Sequence, residues 1–584
     1  MPKFDQPRTH IPGQPTSLWT TLLTITGFLV LPVSAGGMFG GCSAAVIDQN
    51  TSDGGEVTGM DSATTGNFTG GPTSGGWESD TGPGTESPTT SDPGTSDATE
   101  DPTGGPTGTT DPGTTEGSDT DFEPDTDDTN GDTDTDTDTD TDGDFVCDID
   151  TDVTLFLSPD DSNSMSSPVQ VREQILEFGD VYNNAPVRTW EFMNYYTFDY
   201  PPAEPGKLDL SVELVEAESQ GDFPEYILQI SVTSEALTNE ARAPMNLTLA
   251  LDESGSMAGK PIEMLRESCL AMAGELKLGD TVSVVTWDTD NATKLAGYAV
   301  EGPNDSMLVD IINNIVHGGG TDLNGGLVAG YGLANASYDP ERINRLVLIS
   351  DGGANVGVTD ADLIAENAGN NNSDGIYMVG VGVGNGSDYN DKLMDTVTDL
   401  GKGASVFIPN KDEAQKIFGD SFVNTMAVAA RDVRVQLDLP PGFEIVTFSG
   451  EEFGTDPSEI EPQHIAPNDS MVFHQRITTC APELIDDGLP QIGVKVTYAD
   501  ATTFEEDTIE QWQSFSDLLA APSPMLLKGA AIFAYAEAAK ATKSGDEAAA
   551  KLEEAVAALA AAKEALPNDV ELDEISNLIG VLSM

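Results

Sequence analysis

Three short segments of this 584-residue chain carry oxygen donors at spacings that suit one divalent cation. Asp252-Glu253-Ser254-Gly255-Ser256 offers a carboxylate and two hydroxyls at i, i+2 and i+4, which face one point if the loop curls around it. Gly318-Gly319-Gly320-Thr321-Asp322 opens a predicted helix and adds the Thr321 hydroxyl. Ser350-Asp351-Gly352 ends a predicted strand and adds the Asp351 carboxylate. Hard oxygens of this kind suit Mg²⁺, which takes six of them at short range. Two carboxylates and three hydroxyls leave room for water and one oxygen from elsewhere. Other chemistry is poorly matched. Gly255–Lys260 is one residue short of a phosphate loop, and Pro261 stands where Ser or Thr is needed. Neither a Gly-x-Ser-x-Gly elbow nor His-Glu-x-x-His occurs. His317 reads as a helix-end residue.

The donors need strand ends to hold them. Leu247–Leu251, Thr281–Trp287, Leu346–Ser350, Ile376–Val383 and Ala404–Ile408 read as buried strands, with Lys294–Ala299 a short edge strand. Ile262, Leu265, Cys269, Met272 and Leu276 recur at spacings of 3, 4, 3 and 4, one apolar helix face. Further helices are predicted near 307–316, 323–336, 361–367, 389–400 and 412–429. This alternation predicts an α/β fold, a doubly wound, mostly parallel sheet covered on both faces. Ligands bind such sheets at the carboxyl ends of the strands, where the strand order reverses.

The five donors resemble the metal-ion-dependent adhesion site of a von Willebrand factor type A domain, Asp-x-Ser-x-Ser followed by a Thr and then an Asp, each after its expected strand. The resemblance implies a Rossmann-like domain over 243–430. It implies that Ser254 and Ser256 bind the metal directly, Thr321 directly in the ligand-bound form, and Asp252 and Asp351 directly or through water. The implied cofactor is Mg²⁺, or Mn²⁺ or Ca²⁺ in its place. The implied partner is a protein that donates an Asp or Glu carboxylate to the open position. The pentapeptide alone is not specific. Asp160-Asp161-Ser162-Asn163-Ser164 also fits it, but no matching Thr or Asp segments follow, so a turn after the apolar run 153–157 is expected.

Composition narrows the function. The net charge is −75, from 25 Lys+Arg against 100 Asp+Glu. Nucleic acid, which is bound by cations, is not an expected partner. Residues 48–146 hold 26 acidic residues and no Lys or Arg, and residues 1–47 carry +1, which leaves −50 on 147–584. Residues 1–42 read as a signal peptide with its apolar core at Leu18–Val33. Met38–Cys42 resembles a bacterial lipoprotein processing box that would lipidate Cys42, although Val33-Ser34-Ala35 offers an ordinary signal-peptidase site. Residues 43–146, rich in Thr, Asp and Gly, read as a disordered acidic linker. As a flexible coil it spans roughly 55–60 Å. Asp138-x-Asp140-x-Asp142-Gly143 begins a calcium-loop pattern, but Ile149 stands where that loop ends in Glu. The expected location is the cell envelope, as an outer-membrane lipoprotein, periplasmic or surface-exposed, held to the membrane by its lipid alone; the alternative is secretion. Cys147 and Cys480 could pair in such an oxidising setting, and Cys269 reads as a buried free thiol.

Two regions flank the α/β domain. Residues 147–242 contain an aromatic segment, Arg188–Pro202, and strands near 208–215 and 226–232. The aromatic segment resembles one found in bacterial lipoproteins with this domain, and could be an interdomain core or an interaction surface. Residues 431–512 are β-rich and could form one sandwich with 207–240, the α/β domain being inserted into it. Residues 513–584 form an Ala-rich helical segment, broken near Gly545 and Pro567. The expected function is non-enzymatic, metal-dependent protein binding or adhesion at the envelope. The alternatives are an envelope scaffold with a metal-stabilised domain and a metal-assisted hydrolase.

Overall fold

The computed structural model describes residues 147 and 149–584, except 161–162, 183–184, 220, 222, 354–374, 386–388, 402, 487–489, 520 and 546. The expected signal segment, Cys42, the expected acidic linker with its Asp138–Asp142 repeat, and the predicted helix at 361–367 lie outside the described residues.

The chain before the α/β domain forms strand β1 (Val153–Ser158), helices α1 (Ser166–Phe178) and α2 (Thr189–Tyr195), and strands β2 (Asp209–Ala217) and β3 (Glu225–Thr233). Neither helix was expected here. The aromatic segment contains α2, and it is interior: Phe192, Met193, Tyr195, Tyr196 and Phe198 are all buried.

The α/β domain follows, with β4 (Met245–Asp252), α3 (Lys260–Glu275), β5 (Thr281–Trp287), β6 (Asn291–Ala299), α4 (Ser306–Asn313), α5 (Leu323–Ala336), β7 (Ile343–Ser350), β8 (Ile376–Val383), α6 (Asp391–Leu400) and β9 (Ser405–Ile408). Among the described residues its sheet runs β6-β5-β4-β7-β8-β9. Every neighbouring pair is parallel except β5–β6. Every residue of β4 is buried, as a strand covered on both faces requires. Alternation divides its side chains. Leu247, Leu249 and Leu251 pack with Ile262, Leu265 and Met272 of α3, and Ala250 packs with Leu323, Leu327 and Tyr331 of α5. Gly326 lets α5 lie against the sheet, because a Cβ there would collide with the Trp287 ring. The chain leaves β4 toward β5 and later returns on its other side as β7. The strand order therefore reverses at β4, which opens a crevice at the carboxyl ends of β4 and β7.

The predicted helix at 412–429 is present but irregular and ends at Met426. Its parts are α7 (Lys411–Gln415), a wide turn at Lys416–Asp420 and α8 (Phe422–Met426). Gly419 lies against the Gln415 side chain with no room for a Cβ, and the Thr425 hydroxyl bonds the carbonyls of Ile417 (3.0 Å) and Ser421 (3.1 Å).

Beyond the domain come β10 (Ala430–Leu439), β11 (Phe443–Phe448), β12 (Glu452–Gly454), β13 (Gln463–Ile465), β14 (Ser470–Thr479), β15 (Gln491–Asp500) and β16 (Glu506–Ser514). They combine with the preceding strands in two antiparallel sheets, β12-β1-β10-β15-β16 with β13 beside β10, and β11-β14-β3-β2. Leu155, Leu228, Ile230, Val435, Phe473 and Val494 meet between them. One sandwich is thus built from chain on both sides of the α/β domain, which leaves it after β3 and returns at β10. A Cys147–Cys480 disulfide, with Cα atoms 5.9 Å apart, fastens the start of the described chain beside the end of β14. Cys269 is a buried free thiol.

Helices α9 (Pro524–Ser544), α10 (Ala548–Ala565) and α11 (Val570–Leu582) end the chain. Gly545, at φ +77°, caps α9 through its N–H to Ala541, the left-handed ending that glycine favours. Small Ala side chains let α9 approach α2, where Tyr535 meets Phe192 edge-on at 5.4 Å. They also let it approach the sandwich, where Phe533 lies 5.9 Å from the ring of His474.

His474 is buried, with Nδ1 2.7 Å from Gln229 Oε1. Burial, helped by Arg476, pushes its imidazole down to about 3. The unfolded chain takes up this proton near pH 6.5. The stability contributed by a neutral His474 is therefore whole above that pH and is lost as the pH falls toward 3. Urea unfolding should show the gap between wild type and His474→Gln shrinking by about 1.4 kcal/mol from pH 7.5 to pH 5.5. A gap that does not change with pH would contradict this.

Candidate metal centre

Asp252 is the last residue of β4, at the reversal of strand order, and is fully buried. Its Oδ1 accepts the Ser254 N–H at 2.7 Å, and its Oδ2 accepts the Ser350 hydroxyl at 2.7 Å. Among the described residues no Lys or Arg pairs with it. Burial pushes its carboxyl up to about 7 despite these hydrogen bonds. Ser254 is buried and Ser256 exposed, and their hydroxyl oxygens lie 3.0 Å apart. A single turn at Gly255–Met257 makes the loop curl.

The second loop is held by the first and by the β5–β6 turn. Gly318 N–H donates to Glu253 O (2.6 Å), Gly255 N–H to Gly319 O (3.3 Å), and Asp322 N–H to Asp288 O (2.8 Å). The Gly320 N–H donates to Thr289 Oγ1 at 2.7 Å. Asp322 caps α5 by accepting the Gly325 N–H at 2.9 Å. Thr321, one residue earlier, is buried in the crevice.

The third loop leaves β7. Ser350 Oγ, besides donating to Asp252, accepts the Gly352 N–H at 3.0 Å, and Asp351 Oδ1 accepts the Gly353 N–H at 3.2 Å. A single point beside Gly353, where a Cβ would sit, is 3.2 Å from Asp351 Oδ1, 3.8 Å from Ser256 Oγ and 3.8 Å from Thr321 Cγ2. The three loops therefore converge, and Asp252 lies beneath them.

The donors fit a hard divalent cation. All are oxygens, two are carboxylates, and the more deeply buried carboxylate has hydrogen bonds but no positive partner. Clusters of three or more His, Cys, Asp or Glu suited to a metal are absent among the described residues, so this site is built largely from hydroxyls. The rival pentapeptide behaves differently. Asp160 Oδ2 accepts the Ser164 N–H and an Asn194 Nδ2–H, both at 2.7 Å, so protein donors already occupy this carboxylate oxygen. His317 is exposed.

Ser350 was missed as a site residue by the reading of the sequence, although it adjoins Asp351 at a strand end. Its hydroxyl ties two of the loops together. Ser350→Ala should lower stability by about 1–3 kcal/mol, because a buried carboxylate oxygen loses its donor. Urea unfolding without added metal measures this, and wild-type stability in the variant would contradict the role given to Ser350.

Comparison with known proteins identifies the α/β domain. The von Willebrand factor type A domain family matches residues 246–420. The chain is 26% identical over 266 residues to the uncharacterized protein YfbK of Escherichia coli (strain K12), covering 44% of this chain and 45% of that one. It is 27% identical over 187 residues to inter-alpha-trypsin inhibitor heavy chain H3 of Mus musculus, covering 31% and 20%. The matches thus span about half or less of these relatives. Among solved structures, a von Willebrand factor type A protein from Catenulispora acidiphila aligns at 16% identity with a TM-score of 0.40, covering 63% of this chain and 90% of that one. The α/β unit whose three loops meet above Asp252 is a von Willebrand factor type A domain, carried between the two halves of a β-sandwich.

Proposed function

We propose that the protein is a non-enzymatic, Mg²⁺-dependent protein-binding module held at the cell envelope. The domain's family often mediates protein–protein interaction and adhesion. The observation that carries the metal dependence is the convergence beside Gly353 of Asp351 Oδ1, Ser256 Oγ and the Thr321 side chain, with Ser254 Oγ 3.0 Å from Ser256 Oγ. Ser254, Ser256 and Thr321 would hold the cation through their hydroxyls, and Asp252 and Asp351 would do so directly or through water. When bound, the cation supplies positive charge and an open coordination position that a partner's Asp or Glu carboxylate can complete. The protein's own contribution is preorganisation. Ser254 N–H and Ser350 Oγ fix both oxygens of Asp252, and Gly353 N–H orients Asp351. In a chain this acidic, an approaching carboxylate meets repulsion except where a cation is held.

Titration of the protein with Mg²⁺ and Mn²⁺ by calorimetry tests the site. Weak, saturable binding is expected, because the partner's oxygen is missing, and Asp252→Ala/Ser254→Ala should abolish it. Identical isotherms for wild type and the double variant would refute the metal site.

The envelope placement is supported by the apolar segment at 18–33, the processing-box resemblance ending at Cys42, and the Cys147–Cys480 disulfide, a bond that persists in oxidising compartments. Cys42→Ser should move the expressed protein from the membrane fraction to the soluble fraction. A wild-type protein already soluble, with Gly36 as its first residue, would contradict lipid tethering and favour secretion.

A further inference from the structure

The third loop is braced from outside the α/β domain. The Asn390 N–H donates to the Asp351 carbonyl at 3.2 Å. Gly352, at φ +80°, is packed so tightly there that a Cβ would lie 2.8 Å from Asn390 O. Backbone thus rests on backbone, and the loop follows Asn390. The next residue, Asp391, begins α6. Its Oδ1 accepts from Ser166 Oγ (2.9 Å) and Gln170 Nε2 (2.6 Å) of α1, and its Oδ2 accepts from Arg188 Nη1 (2.6 Å). Arg188 also donates through Nε to Glu191 and through Nη2 to Ser166 Oγ at 2.9 Å. Glu191 is fixed in turn by the Ser167 N–H at 2.7 Å.

We propose that Arg188, in the segment preceding the domain, is a positioning residue for the metal centre. By holding Asp391 it keeps Asn390 against the Asp351–Gly352 backbone, which sets the Asp351 carboxylate opposite Ser256 and Thr321. The effect on metal affinity rests on the proposed reading of the site as a cation site; the effect on the loop does not.

The charge balance supports this role. A single guanidinium stands among Glu191, Asp391 and Asp395, the last 3.9 Å away. Burial opposes ionisation of Asp391, yet Arg188 and the hydrogen bonds from Ser166 and Gln170 hold its carboxyl below the usual range. Without Arg188, three carboxylates would face one another in a covered position. Repulsion would then drive the start of α6 outward, and Asn390 moves with it. Arg172 provides a contrast. It joins the same flank to the domain through Glu413 (2.7 Å), while also donating to the Tyr195 hydroxyl of α2 (2.7 Å), but at α7 and not at the Asp351 loop.

The test uses the full protein as wild type, Arg188→Gln, Arg188→Lys and Arg172→Gln, with Gln170→Ala as a milder loss of one bond to Asp391. Hydrogen–deuterium exchange without metal reads the Gly352 and Gly353 amides, and calorimetry reads Mg²⁺ affinity. Arg188→Gln should speed exchange at both amides by about tenfold and weaken Mg²⁺ by about three- to tenfold, within the roughly two- to thirtyfold range of coupling through packed networks. Arg188→Lys should recover part of both effects, and Gln170→Ala should show a smaller loss in the same direction. Arg172→Gln should leave both at wild-type values even if its melting temperature falls. Wild-type exchange in Arg188→Gln, or an equal change in Arg172→Gln, overturns the proposal. If Arg188→Gln does not fold, wild-type exchange in Gln170→Ala overturns it. Wild-type protein that binds no Mg²⁺ while Arg188→Gln still speeds exchange supports the positioning role and removes the cation reading instead.

Discussion

A buried carboxylate costs free energy unless its charge is met, and Asp252 places one at the end of the central strand, where the strand order reverses. Much of the surrounding structure answers that cost. Two hydrogen bonds reach it, one from the loop that follows β4 and one from the end of β7. The loops that provide or neighbour these donors also carry the other oxygens. Close packing of α5, which Gly326 permits against Trp287, brings Thr321 to the same crevice. The sheet thus supplies position, and the loops supply donors.

The few basic residues are used sparingly. Several are spent at junctions: Arg172 with Glu413, Arg188 with Asp391, and Lys528 with Asp569 and Glu571. Arg242 and Asp280 form a fully buried pair inside the domain. Buried pairs of this kind add little net stability, but breaking one leaves an uncompensated charge. The Arg172 and Arg188 pairs therefore fix how the preceding flank meets the domain more than how firmly each folds. No guanidinium or ammonium among the described residues pairs with Asp252 or Asp351, and the proposed cation would supply the positive charge there.

The sequence displayed the parts whose causes are local. Buried β4 and the 3-4-3-4 stripe on α3 are visible as periodicity, and the five oxygen donors stand at strand ends and a helix start. What it did not display depends on distant partners. Ser350 is an ordinary serine until β4 and β7 lie side by side. The link between Arg188 and Asp391 spans 203 positions and leaves no periodic trace. Helices α1 and α2 were hidden because their buried polar residues, among them Ser166, Gln170 and Glu191, blur an amphipathic pattern. The expected helix at 412–429 is present over Lys411–Met426 but widens at Lys416–Asp420, where Gly419 contacts Gln415 and Thr425 bonds Ile417.

A crystal of the protein soaked in Mn²⁺ and measured for anomalous scattering examines the central claim most directly. The expected result is one peak above Asp252, within about 2.0–2.4 Å of the Ser254 and Ser256 hydroxyl oxygens, with Thr321 and Asp351 beside it. A saturating soak that leaves this crevice without a peak would contradict the claim, and the three convergent loops would then be a structural junction only.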